Sequence, residues 1–271
     1  MGKFSLELST PGYQKLIGDT LGDKTLARNF VAEISTVVGN NATLQSCSTG
    51  SIVSAGLLAQ TLKLSLAPTL GYAYVIPYGT KAQFQVGWKG LVQLAQRSGQ
   101  YARLGVREVH DDEYVGQDEF GDDLFKFSHE HDDKKVVGYY AYFELLNGFK
   151  KTVYWTKAQV EKHAKQYSQA YKQGRATKWN DEFDAMAMKT VLKQLLTKWG
   201  PMSTEMQLAA KADQSVIRQE NGQFQFDYID GTDAVPQHTG KTNIEVPSIP
   251  EEDPAPTTDQ YGVVDPDDHP F

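Results

Sequence analysis

The first quarter of the chain has apolar residues at helical spacing. They recur at intervals of three and four and so share one face of a helix over about residues 24–38: Leu26, Phe30, Ile34 and Val37. Asp23 is a typical N-cap for this helix, and Gly39 is a typical end. A second apolar run predicts a helix from Ser51 to about residue 66. Residues 1–66 are therefore predicted to be mainly helical.

The next third of the chain changes to the alternating pattern of strands. Residues 72–78 and 83–86 predict two strands joined by a turn at Gly79-Thr80. Pro77 weakens the hydrogen-bond ladder of the first strand, so this hairpin is expected at a sheet edge or as a projection. A helix over about residues 89–97 and a strand over residues 101–109 follow.

A second hairpin has the strongest local signal. Residues 136–146 and 149–155 are rich in aromatic and β-branched residues, and Asn147-Gly148 separates them. Asn-Gly suits a tight turn with positive backbone angles. The sequence therefore predicts two antiparallel strands here.

Three helices are predicted after this hairpin. Their expected N-caps are Thr156, with Gln159 completing a capping box, Asn180 and Ser203. Their expected ends are Gly174, Gly200-Pro201 and about Gln219. Helices, meandering strands and then a helical block indicate an α+β fold, with a central antiparallel sheet or hairpins and helices packed against them.

The last part of the chain differs in composition. Residues 220–271 hold seven of the eleven prolines and a single lysine, with no helical period. This composition predicts a disordered acidic tail. We therefore divide the chain into residues 1–219 and an acidic tail, residues 220–271.

The net charge of −7 conceals a strong segregation of charge. Residues 1–107 and 134–219 carry net charges of +6 and +8. Residues 108–133 and 220–271 carry −10 and −11. Two basic blocks thus flank an acidic insert, which allows a polyanion-binding surface despite the acidic total. The alternative is that the charges of both basic blocks lie on ordinary solvent-exposed faces.

Aromatic rings and cations lie close together in residues 70–98. Rings offer surfaces on which bases stack, and cations pair with phosphates, which is what single-stranded nucleic acid requires. Tyr78 and Trp88, beside turns, are the predicted stacking residues, whereas Tyr72 and Phe84 are expected in the core. The predicted phosphate contacts of this half of the chain are Lys81, Lys89, Arg97, Arg103 and Arg107. The alternative is that the rings simply fill a core.

The predicted helix after Asn180 carries the second basic signal. Its apolar residues form one stripe, and Lys189 and Lys193, four residues apart, share a neighbouring face. Thr190 lies near that face, and Lys198 follows on the last turn. Such a row could follow a phosphate backbone. A solvated lysine face is the alternative.

Other candidate chemistry is weak. The acidic and histidine groups at residues 110–113 and 129–133 do not match a zinc signature. No catalytic residue, metal site or ATP site is predicted, and no visible site requires Mg²⁺.

Cys47 is alone, which excludes an internal disulfide, and no apolar run is long enough to span a membrane. The expected location is a reducing cytoplasm.

The end of the chain resembles a docking peptide. Its acidic residues, its Pro-Phe pair and its carboxylate suit an apolar pocket with basic residues around it: Asp267, Asp268, Pro270 and Phe271. This pattern is similar to the acidic tip of bacterial single-stranded DNA-binding proteins, which recruits repair and replication enzymes.

Two ordered motifs resemble the RecT family of phage recombinases. The first comprises residues 70–79, 84–91 and 97–99, and includes Gly87-Trp88-Lys89-Gly90. The second comprises residues 179–183, 188–191 and 199–203, and includes Met188-Lys189-Thr190-Val191. The resemblance extends over about residues 25–215.

The resemblance implies an ATP-independent single-strand annealing protein rather than an enzyme. It implies DNA binding, annealing and oligomerisation for residues 1–219, and the tail, residues 220–271, is expected to contact other proteins. Such proteins coat single-stranded DNA made by a partner 5′→3′ exonuclease, pair it with a complementary strand and hold the annealed duplex. They assemble as rings or helical filaments, here in the cytoplasm of a bacterial host. Three alternatives stay open: a passive coating protein, a metal nuclease using Asp111 and Asp112, and a replication adaptor acting through its tail.

Overall fold

The structure is a computed structural model that describes residues 3–121, 123–128, 134–175, 177–213, 215–220 and 223–228. Its helices are α1 (Lys3–Leu8), α2 (Pro11–Leu21), α3 (Lys24–Gly39), α4 (Thr49–Thr61), α5 (Trp88–Arg97), α6 (Lys157–Tyr167), α7 (Gln169–Lys172), α8 (Lys178–Asp181), α9 (Phe183–Trp199) and α10 (Thr204–Ala212). Its strands are β1 (Ala73–Tyr78), β2 (Lys81–Val86), β3 (Tyr101–His110), β4 (Tyr114–Gln117), β5 (Asp123–Phe125), β6 (Val136–Leu145), β7 (Lys150–Thr156), β8 (Ser215–Glu220) and β9 (Gln223–Tyr228). The predicted α+β class is confirmed.

The strands form three antiparallel sheets. The first has the order β1-β2-β8-β9, the second β3-β6-β7, and the third pairs β4 with β5. The first hairpin turns where predicted, at Gly79, whose φ of +54° is a conformation that favours glycine. β1 lies at the edge of its sheet, as Pro77 predicted. The hairpin of β6 and β7 turns at Gly148, with a φ of +85°.

The N-cap and the bounds predicted for α3 are confirmed, whereas α4 begins and ends earlier than predicted. The carboxylate of Asp23 accepts hydrogen bonds from the N–H groups of Thr25 and Leu26 at 2.7 and 2.8 Å. The buried face of α3 is Phe30, Ile34 and Val38, so Leu26 is half exposed instead of buried. α4 ends at Thr61, earlier than predicted, because Lys63 adopts a left-handed conformation with a φ of +53°.

Two helices contribute more buried residues than the other elements. α4 packs on β2 and β8, and its middle residues are fully buried, including Ile52 and Leu57. α9 packs on the second sheet, where Tyr139, Ala141 and Phe143 of β6 point inward. α5 directly follows β2 of the first sheet along the chain and contacts α9 and β3 of the second sheet's layer.

The last third of the chain corrects several predictions. The helix expected to continue to Gly174 is interrupted at Ser168, which has extended backbone. Asn180 does not cap α9; it belongs to the capping box of α8 with Thr177, and α9 begins at Phe183. The capping box of Thr156 with Gln159 and the N-cap at Ser203 are confirmed.

The predicted boundary at residue 219 also differs from the structure. α10 ends at Ala212 instead of about Gln219, and β8 and β9 follow it. β8 pairs with β2 through Gln83 and Val216, so residues 223–228, assigned to the tail from composition, extend the first sheet. Residues 229–271, and with them the predicted docking tip at Asp267, Asp268, Pro270 and Phe271, lie outside the described residues.

Candidate nucleic-acid interface

The first of two adjoining clefts lies between the β1–β2 hairpin, the start of α5 and the segment from α8 to α9. It has a volume of about 210 Å³. Its lining brings together aromatic rings, lysines and one carboxylate: Tyr74, Trp88, Lys89, Lys178, Glu182 and Lys189. Trp88 is half-buried and packs on the core, whereas Lys89 is exposed. Two residues predicted for nucleic-acid contact therefore share one cleft.

Glycine positions Trp88 and Lys89 at this cleft. Gly87 precedes α5, and its N–H donates to the carbonyl of Tyr72 at 2.9 Å. A Cβ at Gly90 would lie 2.1 Å from that carbonyl oxygen, and one at Gly87 equally close to the carbonyl oxygen of Gly71. Only residues without a Cβ allow α5 to approach the segment before β1 this closely. The first helical turn, which holds Trp88 and Lys89, is thereby fixed.

The second cleft lies between α6, α9 and the end of α10. It has a volume of about 320 Å³ and shares Met186 and Lys189 with the first cleft. Its lining includes His163, Tyr167, Trp179, Thr190, Lys193 and Asp213. Lys189 thus lies between the two clefts, and α9 runs beside both.

Asp213 holds the two lysines of α9. Its Oδ1 accepts from Nζ of Lys189 at 2.7 Å and from the N–H of Val86 at 3.2 Å, and its Oδ2 accepts from Nζ of Lys193 at 2.9 Å. Lys189 and Asp213 are buried, whereas the side chain of Lys193 remains 31% exposed. The group carries a net charge of +1, and Lys193 presents it to the cleft.

The pKa values of this group follow from burial and pairing. Burial alone would raise the pKa of Asp213, but Lys189 and Lys193 outweigh it and hold that pKa below its ordinary value. For Lys189 burial dominates and lowers the pKa, and Lys193 acts in the same direction while Asp213 opposes it. The lysine row predicted from the helical pattern is thus corrected: Lys189 is an interior cation, because it faces Asp213 and not solvent.

α6 contributes a ring pair that the sequence interpretation missed. The rings of His163 and Tyr167 lie 4.5 Å apart, and Trp155 contacts His163 at 5.3 Å. Burial, together with the charge of Lys193, lowers the pKa of His163, which favours a neutral imidazole. Tyr167 is exposed. The four-residue spacing of His163 and Tyr167 on a helix was the signal available for this pair.

The lining of the two clefts is basic. The described lining residues include lysines at positions 89, 178, 189 and 193 and only two carboxylates, those of Glu182 and Asp213. Lys178 pairs with Glu182 at 2.5 Å, and this pair is largely exposed. Lys89 is exposed and has no such partner among the described residues. Polyanion phosphates would find their strongest attraction here.

Other predicted residues lie outside these two linings. Tyr78 and Lys81 flank the turn of the first hairpin, where Tyr78 is half-buried and Lys81 is exposed. Arg97 is exposed, and its Nη2 donates to the carbonyl of Leu62 at 2.6 Å. Lys198 is exposed near the end of α9. These side chains stay predictions as contacts of a longer strand.

Two predicted arginines lie on the outward face of the second sheet. Arg107 pairs with Glu113 at 3.0 Å and lies 4.1 Å from the ring of Phe127. Arg103 is exposed and lies 3.8 Å from a carboxylate oxygen of Glu144. The structure thus separates them from the two clefts and gives both a local carboxylate partner.

The acidic insert has a structural carboxylate at its base. Glu113 is fully buried and accepts from the N–H groups of His110 and Ser128 at 2.8 and 3.0 Å. Burial would raise the pKa of Glu113, but these hydrogen bonds and Arg107 lower it below its ordinary value. Asp112 pairs with Lys134 at 3.2 Å. Among the described residues no group of three or more metal-ligating side chains is present, and residues 129–133 lie outside them.

The fold and the clefts define a class of protein. It is an α+β protein in which one buried helix carries cations and borders aromatic rings, the two kinds of group that single-stranded nucleic acid needs. The model of the RecT family matches residues 28–225 of the chain. The chain belongs to the RecT family, whose members are DNA-binding proteins of recombination and single-strand annealing.

Two curated relatives support this assignment. The chain is 39% identical over 247 residues to the uncharacterized protein YqaK of Bacillus subtilis strain 168, covering 91% of this chain and 84% of that protein. It is 29% identical over 216 residues to Protein RecT of Escherichia coli K12, covering 76% and 78%. Within the described part of the chain, no helix is both long and apolar enough to cross a membrane.

Proposed function

We propose that this protein anneals complementary DNA strands without ATP, in phage-type homologous recombination. It binds one single strand in the two adjoining clefts and presents that strand to a second. The observation that carries the proposal is that the cleft of Trp88 and Lys89 adjoins the cleft of Lys193 at Lys189, in a chain that belongs to the RecT family. No covalent step is needed, so the protein is not proposed as an enzyme.

The chemistry of the clefts suits this role. Lys89 and Lys193 pair with phosphates, which gives salt-dependent binding without reading sequence. Trp88 and the exposed ring of Tyr167 offer surfaces for stacking and for spreading bases apart. Base edges remain free, so a second strand can test its complementarity. Holding one strand in an ordered conformation lowers the entropic cost of pairing.

The wider setting of the proposal follows from the family. We infer that the protein works as a ring or helical filament, holds the annealed duplex in a basic groove, and acts in the cytoplasm of a bacterial host. A 5′→3′ exonuclease supplies its single-stranded substrate, and host single-stranded DNA-binding or repair proteins meet its tail. Neither a metal nor a nucleotide cofactor is proposed.

The test is a sequential annealing assay. Two complementary oligonucleotides, one carrying a fluorophore and the other a quencher, are added one after the other without ATP, at low and at high salt. We expect annealing faster than the spontaneous rate, and a product complex that high salt dissociates. Tight binding of the first strand without acceleration would refute annealing and leave a passive coating protein.

A pair of matched variants connects the assay to the clefts. Lys89→Glu reverses an exposed charge at the first cleft and should slow annealing at least several-fold. Lys3→Glu makes the same change on α1, where the side chain is also exposed, and should leave the rate unchanged. Equal effects of both variants would mean that only overall charge matters, against a defined site.

A further inference from the structure

The hairpin of β4 and β5 forms an apolar and acidic projection, which we call the finger: Tyr114–Gln117, residues 118–121 and Asp123–Phe125. Phe120 at its turn is 84% exposed, the highest value for a large hydrophobic residue in the described chain. Val115 and Leu124 of the finger are exposed as well. Such a concentration of exposed apolar side chains marks an interaction surface.

The finger is anchored at its base. Tyr114 stacks on Tyr154 of β7 at 5.5 Å, and Phe125 contacts Tyr140 of β6 at 4.8 Å. These rings lie on the face of the second sheet that points away from α9, since they alternate with the buried residues of β6. The exposed phenyl ring of Phe120 is therefore presented by a packed hairpin.

The finger is negatively charged. Its described residues include the acidic Asp118, Glu119 and Asp123 and no lysine or arginine. Glu119 is exposed beside Phe120. A negative surface repels DNA phosphates, so this apolar tip does not suit nucleic acid. Its complement is an apolar cleft with cations around it.

A cleft of this kind lies between α2 and α3. It has a volume of about 670 Å³, and its lining includes the small or apolar residues Gly18, Ala27 and Val31. Lys24 and Arg28 of α3 also line it, and both are exposed and without an ion-pair partner among the described residues. The carboxylate of Asp23 is engaged by the first N–H groups of α3.

We propose that the finger of one copy of this chain docks into the α2–α3 cleft of a second copy. Phe120 enters the apolar lining, and Glu119 lies against Arg28. The finger and the cleft are different surfaces of the chain, so the contact is heterologous and repeats from copy to copy, which produces a ring or a helical filament. The contact is small and charged, so it weakens with salt.

The first experiment replaces Phe120, the residue proposed to enter the cleft. Phe120→Ser in the full chain should raise the protein concentration at which large assemblies form by at least about tenfold in light scattering, because buried aromatic anchors dominate such contacts. Leu146→Ser is the matched control: this residue is also highly exposed, in the β6–β7 hairpin, and its change should have no effect. Assembly unchanged in Phe120→Ser, or a wild-type chain that never assembles, overturns the proposal.

The second experiment exchanges the charges. Glu119→Lys and Arg28→Glu each place like charges together, so each variant alone should assemble poorly. In an equal mixture every finger finds a cleft of opposite charge, so assembly should return. A mixture no better than either variant alone overturns the contact, and it does so whether or not the variants are fully stable.

This proposal rests on the proposed function in one respect: annealing of DNA is the reason for the chain to assemble. Binding of a short single-stranded oligonucleotide is measured on the same variants and should be unchanged, since the finger lies outside both clefts. If assembly follows the predictions while the wild-type chain fails to accelerate annealing, the proposed function fails and the contact stands. The reverse result leaves annealing intact and removes the contact.

Discussion

Asp213 connects two lysines of α9 with the backbone of β2, although it lies 20 or more residues beyond them in the chain. The helical pattern correctly placed Lys189 and Lys193 one turn apart. It could not show which of them faces the interior, because that depends on a carboxylate brought in by the end of α10. The sequence pattern could not predict that Lys189 is buried, because its carboxylate partner Asp213 is distant in the chain.

Replacing Asp213 should be costly. We expect Asp213→Ala to lower the free energy of unfolding by about 3–5 kcal/mol, because it leaves Lys189 buried and unpaired beside Lys193. Urea denaturation followed by circular dichroism measures this. Asp19→Ala, which removes an exposed partner of Lys15, should change little. Equal losses in both variants would contradict the assigned role.

The pH dependence of stability gives a second measure of the same contribution. The folded-state pKa of Asp213 is lowered, so its stabilisation is fully present above the ordinary carboxyl pKa. That stabilisation is lost as the pH falls through the lowered folded-state value. The stability difference between wild type and Asp213→Asn should therefore shrink in this acidic window. If the stability difference stays constant down to the lowest pH at which the chain folds, the ionised carboxylate of Asp213 does not stabilise the fold as assigned.

At the scale of elements, the junction of β2 and α5 fixes the first cleft. We expect Gly90→Ala to lower the free energy of unfolding by about 1–3 kcal/mol and to weaken binding of a single strand. The reason is that the added Cβ would press on the carbonyl oxygen of Tyr72 and displace the turn that holds Trp88 and Lys89.

The matched control for this prediction is Gly12→Ala in α2. A Cβ there meets no atom within 4 Å, so stability should be unchanged or slightly higher. Thermal unfolding and fluorescence anisotropy with a short oligonucleotide measure the two effects. Full affinity in a folded Gly90→Ala variant would show that the junction does not position the binding residues.

The sequence predicted those elements whose signals are local. The β1–β2 and β6–β7 hairpins were found from their turns, and α3, α6 and α10 from N-cap residues that the structure confirms. The strand β8 was missed, and residues 215–219 were assigned to a helix. It pairs along its length with the next strand, β9, whose residues were assigned to the tail from their composition. Its first residues also pair with β2, about 130 residues earlier, and pairing at that distance leaves no periodicity in a short window.

At the scale of the whole molecule, the segregation of charge indicated the most about function. Lys89 comes from the first basic block, and the lysines at positions 178, 189 and 193 come from the second. The fold brings both blocks to the adjoining clefts. Three carboxylates of the acidic insert, Asp118, Glu119 and Asp123, lie on the finger. A chain with a net charge of −7 thereby presents a basic lining. The sequence showed the two basic blocks but not that they meet.

Salt dependence tests whether this local charge governs binding. The logarithm of the single-strand affinity should fall linearly with the logarithm of salt concentration, with a slope of about −0.7 for each phosphate paired by a cation. Lys89→Ala should therefore make the slope shallower by about 0.7, and Lys3→Ala, at a position on α1 that is also exposed, should leave it unchanged. Anisotropy titrations with one oligonucleotide over a range of salt concentrations give both slopes. If the two variants shift the slope equally, binding follows net charge and the clefts are not its site, because a cation remote from the strand releases no counterion from it.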